Sequence, residues 1–227
     1  MADSLLSRTR VKIRYYRKGL PWYKLALRLL IDALSQAGLR IEPYQLFSEG
    51  LASAPRPRGA FGDYDISFLG PDDMLEIASI PGRNVTHDDL LRRLHEGKRC
   101  LGIKHEGRIA AFTWCDFAAC LFETDRLFLL KDDEACLFDA YTLEAFRGHD
   151  LAPFMRYRCY EELAKIGRTH CYSVTVLFNV PAVRFKKKLN AKVVELWVLL
   201  EIFRRWRYNR RLRTYPGSAA APSTSSF

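Results

Sequence analysis

The strongest constraint lies between residues 135 and 191. A strand-length apolar run, Ala135 to Thr142, passes through Arg147-Gly148-His149-Asp150 into a helix from about Leu151 to Ile166. A second strand, Cys171 to Leu177, and a second helix, Pro181 to Leu189, follow. Strands alternating with helices demand an α/β sheet. A strand running through an Arg-Gly turn into a helix leaves the first N–H groups of that helix unpaired, and these form a cradle for an anion. Gly148 lets the backbone approach such an anion closely, and Arg147 adds a cation.

Period and punctuation extend the pattern in both directions. Asp65 to Leu69 reads as a strand, Pro71–Ile80 and Asp88–Glu96 as helices, and 99–105 with 108–117 as a hairpin around Glu106-Gly107. Arg126 to Leu130 reads as a further short strand and Lys192 to Phe203 as a long final one. The expected fold is α/β, a mixed central sheet flanked by helices. Upstream, Tyr23, Leu27, Leu30, Ile31 and Leu34 recur at helical spacing while Lys24, Arg28 and Ser35 fall on another face, giving an amphipathic helix that ends at Gly38. Its apolar stripe suits packing on the body, with a membrane surface as the alternative. ASAPRPRG at 52–59 reads as a linker, and PGSAAAPSTSSF at the C-terminus as low complexity. The expected division is a basic N-terminal helical extension over 1–60, a compact domain over 61–205 and a basic, then low-complexity tail over 206–227.

With 227 residues, 48% of them hydrophobic, the chain has material for one substantial core, which excludes wholesale disorder. No apolar run approaches the roughly 18 residues that span a bilayer. MADSLLSRTR lacks a signal-peptide core, so a cytoplasmic location is expected, with peripheral contact at the inner face of the membrane as an extension. Six cysteines without CxxC spacing are expected to be reduced core residues, and five histidines without i, i+4 pairs make no metal site. Neither G-x-S-x-G nor a P-loop occurs, which argues against a serine hydrolase and a P-loop nucleotidase.

The net charge of +10 is uneven: residues 1–31 carry +7, residues 201–215 carry +5, and the remainder carries −2. Basic ends interleaved with Tyr15, Tyr16, Trp22, Tyr23, Trp206 and Tyr208 suit anionic lipid or nucleic acid, or serve as solvated arms.

Two segments carry a family resemblance. Thr142-Leu143-Glu144-Ala145-Phe146-Arg147-Gly148-His149-Asp150-Leu151-Ala152 resembles the pattern v-x-P-E-Y-R-G-x-G-x-A, and Asn179-Val180-Pro181-Ala182 through Lys188-Leu189-Asn190-Ala191 resembles N-x-x-A…K-L-G-F. Both belong to the GCN5-related N-acetyltransferases, the GNAT superfamily. The resemblance covers 65–203 in element order and is specific over 135–191. It implies binding of acetyl-CoA or another acyl-CoA: Arg147, Gly148, His149, Asp150, Leu151 and Ala152 would hold the pyrophosphate, and the strand end at Tyr141, Thr142 and Leu143 the pantetheine and thioester. Asn179 would contact the cofactor or cap the last helix.

Three positions depart from the pattern. Asp150 stands where the family usually has Gly, and is expected to serve as N-cap or first-turn residue. Lys186, seven residues after Asn179, stands where many members carry a thiolate-protonating tyrosine; it could donate a proton, bind phosphate or belong to a solvated face. Asn190-Ala191 replaces Gly-Phe. Attack of an amine on a thioester needs a base. Glu134, Asp139 and Tyr141 are the candidates, Glu134 falling where the base of histone-modifying members falls, unless it belongs to a polar loop. The function expected is transfer of an acetyl or longer acyl group from acyl-CoA to a primary amine of a small molecule, one that is acidic or membrane-associated. The chain could act as a monomer or homodimer. The alternative is a non-catalytic module of the same fold that binds nucleic acid or anionic membrane through its basic ends.

Overall fold

The structure, a computed structural model, describes residues 21–59 and 61–216. The basic residues among 1–20 and the low-complexity segment from 217 onward lie outside the described residues.

Helix α1 (Trp22–Gln36) is followed by strands β1 (Leu39–Glu49) and β2 (Tyr64–Leu69), helices α2 (Met74–Ala78) and α3 (His87–His95), and the hairpin β3 (Arg99–His105) and β4 (Arg108–Asp116). A small hairpin, β5 (Ala119–Phe122) and β6 (Asp125–Leu129), leads into β7 (Glu134–Thr142), α4 (Leu151–Lys165), β8 (His170–Val176), α5 (Val180–Lys188), β9 (Lys192–Ile202) and β10 (Trp206–Thr214). Eight strands form one sheet in the order β10-β9-β1-β8-β7-β4-β3-β2, and β5 and β6 pair separately. Every neighbouring pair in the large sheet is antiparallel except β7 and β8, which are parallel because the α4 crossover joins them.

Both faces of the sheet are covered. On one face α4 places Cys159, Tyr160 and Leu163 against Leu101, Cys115, Ala135 and Leu137. On the other, α2 and α3 pack Met74, Ile77 and Leu90 against Cys100, Phe112 and Trp114. The β5–β6 hairpin closes the rest of that face, stacking Phe122 on Tyr44 with ring centroids 3.8 Å apart.

From residue 64 to 202 the elements fall where period and punctuation put them, with β5 as an addition. The sequence reading of the ends needs correction. Residues 39–49, assigned to the extension, form a central strand between β8 and β9. Residues 206–214, assigned to the tail, form the edge strand β10. The α1 stripe packs only in part: Ile31 is buried and Leu34 half-buried, but Tyr23, Leu27 and Leu30 are exposed, and Arg28, expected on the outer face, turns inward to pair with Asp32 (2.7 Å) and Glu42 (3.3 Å). Finally, Cys120 and Cys136, expected as free thiols, are joined in a disulfide with Cα atoms 5.2 Å apart, while Cys100, Cys115, Cys159 and Cys171 are free and buried.

Candidate active site

β7 carries the site. It pairs with β8 over three positions only, Glu134↔His170, Ala135↔Cys171 and Cys136↔Tyr172, and beyond these the two strands have no partner in each other. On its other side β7 follows β4 out to Thr142, interrupted where Asp139 and Ala140 stand opposite Thr113. Asp139 adopts φ 45° there, a bulge that bends the strand away. Two parallel strands that part company leave an opening with unpaired backbone groups facing into it.

The chain then makes a 3-10 turn at Glu144–Phe146 and reaches α4 through Gly148 (φ 90°) and Asp150 (φ 55°). A Cβ at Gly148 would meet nothing within 4 Å, so glycine is needed there for its dihedral angle and not for space. Asp150 is the N-cap residue of α4 by position but makes no side-chain cap, contrary to expectation: its left-handed conformation turns the carboxylate away, and it pairs with Lys188 of α5. Glycine adopts that conformation freely, whereas aspartate adopts it only at some cost. With no cap, and with Pro153 contributing no donor, the first-turn N–H groups of Leu151 and Ala152 remain available.

A cavity of about 270 Å³ opens at this point. It is lined by Thr142, Phe146, Arg147, Gly148, Asp150, Leu151, Ala152 and Pro153 from one side and by Pro181, Arg184, Phe185 and Lys188 of α5 from the other. Three cations surround one carboxylate, itself neutralised by Lys188, so the cavity suits a polyanion. The Arg147 guanidinium donates to the Thr142 carbonyl (3.1 Å) and the Tyr141 hydroxyl (3.2 Å), which fixes the turn against the end of β7.

Of the expected binding residues, Thr142, Arg147, Gly148, Asp150, Leu151 and Ala152 line this cavity. Leu143 does not; its N–H donates to the Ala110 carbonyl (2.9 Å). His149 is exposed between its neighbours. Asn179 caps α5, its Oδ1 accepting the Ala182 N–H at 3.2 Å.

Of the three expected bases, Tyr141 stays beside Arg147, and Glu134 and Asp139 are held elsewhere. Glu134 is buried at the start of β7, accepting the Lys131 N–H (2.9 Å) and the Tyr172 hydroxyl (3.3 Å) at the end where β7 and β8 are still paired. Asp139 Oδ2 accepts from Arg83 and from Arg93, both at 2.7 Å. Burial opposes its ionisation, but these two guanidiniums outweigh burial and hold its carboxyl below the usual range, which makes it a poor base. Arg83 also lies over the Tyr141 ring and Arg93 over Trp114.

Lys186 turns away from the cavity and is 2% exposed. Its amine donates to Thr175 Oγ1 and lies 4.5 Å from the centre of the Phe47 ring. Burial lowers its pKa to about 7; Glu49 works against this and Arg156 with it. Glu49 accepts the Tyr160 hydroxyl at 2.6 Å and lies 3.8 Å from the Arg156 guanidinium. This buried cluster escaped the sequence reading because Glu49 fell in the supposed extension. One signal was present: Arg156 occupies the apolar face of α4, between Met155 and Cys159.

A second cavity, of about 320 Å³, opens on the opposite face of the sheet, lined by Arg93, Lys98, Asp116, Ala119, Leu121, Glu123, Cys136 and Phe138. Cys136 and Phe138 belong to β7, at the level where it leaves β8.

No protein-family model and no curated protein matches the chain. Solved structures do. A GNAT-family acetyltransferase from Colwellia psychrerythraea matches with a TM-score of 0.54 and 14% identity, covering 75% of this chain and 60% of that one. A GCN5-related N-acetyltransferase from Sphaerobacter thermophilus matches with 0.53 and 14%, covering 83% and 57%. A Drosophila protein matches with 0.53 and 13%, covering 81% and 59%. The chain thus spans about three fifths of the length of these structures. Parallel strands that part beside a cation-lined helix start are embedded in a sheet that superposes on solved acetyltransferases, and the fold of this chain is the fold of the GCN5-related N-acetyltransferases.

Proposed function

We propose that this protein is an acyl-CoA-dependent N-acyltransferase that moves an acetyl or longer acyl group to a primary amine of a small molecule. The observation that carries the reading is the cavity at the start of α4, where Arg147, Arg184 and Lys188 meet free helix-start N–H groups beside the gap between β7 and β8. Arg147 and the N–H groups of Leu151 and Ala152 suit a pyrophosphate; Arg184 and Lys188 add charge from α5. Bound there, acyl-CoA supplies an activated thioester. The unpaired backbone groups of β7 beyond Cys136 would align the pantetheine arm and donate to the developing oxyanion. The acceptor amine would enter from the second cavity, past Phe138, so that donor and acceptor approach from opposite faces of the sheet. With Glu134 and Asp139 both engaged, the amine proton would leave through water in the gap and not directly to a carboxylate. That same engagement favours a second reading, a non-catalytic module of this fold, which turnover of acyl-CoA with any amine excludes.

Calorimetric titration with acetyl-CoA tests the binding. Saturable heat in the native protein, weakened at least about tenfold in Arg147→Glu, is expected, the loss of one charge-assisted contact plus repulsion accounting for roughly 1.4 kcal/mol or more. Absence of binding by the folded protein to both acetyl-CoA and a long-chain acyl-CoA overturns the reading.

A further inference from the structure

We infer that α1 and the β9–β10 turn form a docking surface for an anionic lipid bilayer, a surface separate from the acyl-CoA cavity. α1 leaves the outer half of its apolar stripe uncovered: Leu27 and Leu30 are 45% and 57% exposed, while Ile31 and Arg28 face the body. The stripe does not end with the helix. Gly38, which closes α1, accepts the Phe203 N–H through its carbonyl at 2.7 Å, and a Cβ on Gly38 would lie 2.5 Å from the Phe203 ring. The β9–β10 turn therefore abuts the end of the helix.

That turn is unusual. Phe203 and Arg204 occupy its two central positions with φ 48° and 55°, and the Arg205 N–H donates to the Ile202 carbonyl at 3.0 Å. Such turns favour Asn-Gly, because both central residues are left-handed. Here an aromatic and an arginine bear the strain, with Phe203 75% exposed and Trp206 65% exposed beside it. Arg204 and Arg205 make no side-chain hydrogen bond or ion pair among the described residues.

Charge selects the occupant. Lys24 of α1 and Arg204 and Arg205 of the turn, on a chain of net charge +10, meet repulsion against a second copy of the same surface. Nucleic acid would use the arginines and rings but has no use for Leu27 and Leu30, which cannot stack on bases. A bilayer uses all three: aliphatic side chains enter the acyl boundary, aromatic rings sit at the interface, and each arginine is attracted to the anionic headgroups. No described helix is long and apolar enough to cross a membrane, so contact is with the surface.

The test is sedimentation of the full chain with phosphatidylcholine vesicles, with and without phosphatidylserine. Binding to the phosphatidylserine vesicles is expected to exceed that to phosphatidylcholine alone by about tenfold or more and to weaken with salt. Leu27→Ser with Leu30→Ser, both exposed and so compatible with folding, should weaken it by about tenfold or more, as should Arg204→Glu with Arg205→Glu. Equal binding to the two vesicle types, or none, overturns the proposal. So does binding untouched by the serine pair, duplex DNA binding that competes fully with vesicles and ignores that pair, or a dimer that the pair dissociates while vesicles leave it intact. None of these outcomes bears on acetyl-CoA binding.

Discussion

Lys186 shows how a residue in a basic run can be as thoroughly buried as any charge among the described residues but Glu49. Its neighbours Lys187 and Lys188 are exposed, whereas its own amine sits among Thr175, Phe47, Glu49 and Arg156. Burial opposes protonation and lowers its pKa from 10.5 to about 7. The consequence for stability has a definite sign. Between about pH 7 and 10.5 the unfolded chain holds the lysine proton and the folded one does not, so raising pH through this window stabilises the fold. Below it both states are protonated and the penalty is constant. In Lys186→Met this dependence should vanish, so the difference in unfolding free energy, variant minus native, should shrink as pH rises, by at most about 1.4 kcal/mol per unit. Urea titrations of both proteins at pH 7, 8 and 9 measure it; a difference independent of pH would show that the amine is not buried. The residue's place seven positions after Asn179 was readable in the sequence, but its surroundings were not, because Phe47 and Glu49 arrive from a strand more than 130 positions away.

At the scale of elements, the bulge in β7 determines what the site can use. In an unbroken strand Asp139 and Tyr141 would share a face. The left-handed Asp139 breaks the alternation and hands its carboxylate to Arg83, in the α2–α3 loop, and to Arg93, on α3. Those arginines lie over Phe112, Tyr141, Trp114 and Phe138, so one carboxylate orients an aromatic layer. Asp139→Asn should therefore act on stability, costing about 2 kcal/mol in a chemical denaturation series because two partly buried guanidiniums lose their counter-charge. A neutral result would mean that water replaces the carboxylate. Most elements between 64 and 202 were legible because apolar period, Pro81-Gly82 and Glu106-Gly107 speak locally. β5 was not, and neither were the two strands outside that range. β1 contains Pro43, which argues against a central strand. The structure tolerates it because the β1–β8 ladder starts at Tyr44↔Val176, so the missing N–H falls beyond the end of β8, while the Pro43 carbonyl still accepts the Leu177 N–H at 2.8 Å. β10 was hidden by arginines on both of its faces, which an edge strand permits.

For the whole molecule, the position of β1 decides which residues fold together. A compact domain starting near residue 61 would contain β8 and the β9–β10 hairpin but not the strand that joins them. β1 pairs with β9 over ten positions and with β8 over six. It buries Tyr44, Leu46 and Phe47 almost completely, each contributing about 1.5–3 kcal/mol. It also delivers Glu49, the carboxylate facing the buried Arg156 and Lys186. Together these contributions rival the 5–15 kcal/mol by which whole domains are stable. A chain of residues 61–216 should therefore show no cooperative thermal transition and should aggregate through the exposed edges of β8 and β9. Extending it to begin at residue 39 should restore a single transition, since β1 then completes the sheet, while α1, anchored mainly through Ile31 and Arg28, adds little. Circular dichroism melts of the two truncated chains beside the full one decide the matter. A cooperative melt from 61–216 would mean that β9 pairs with β8 directly, and that the boundary near residue 61 marks the true edge of the folding unit.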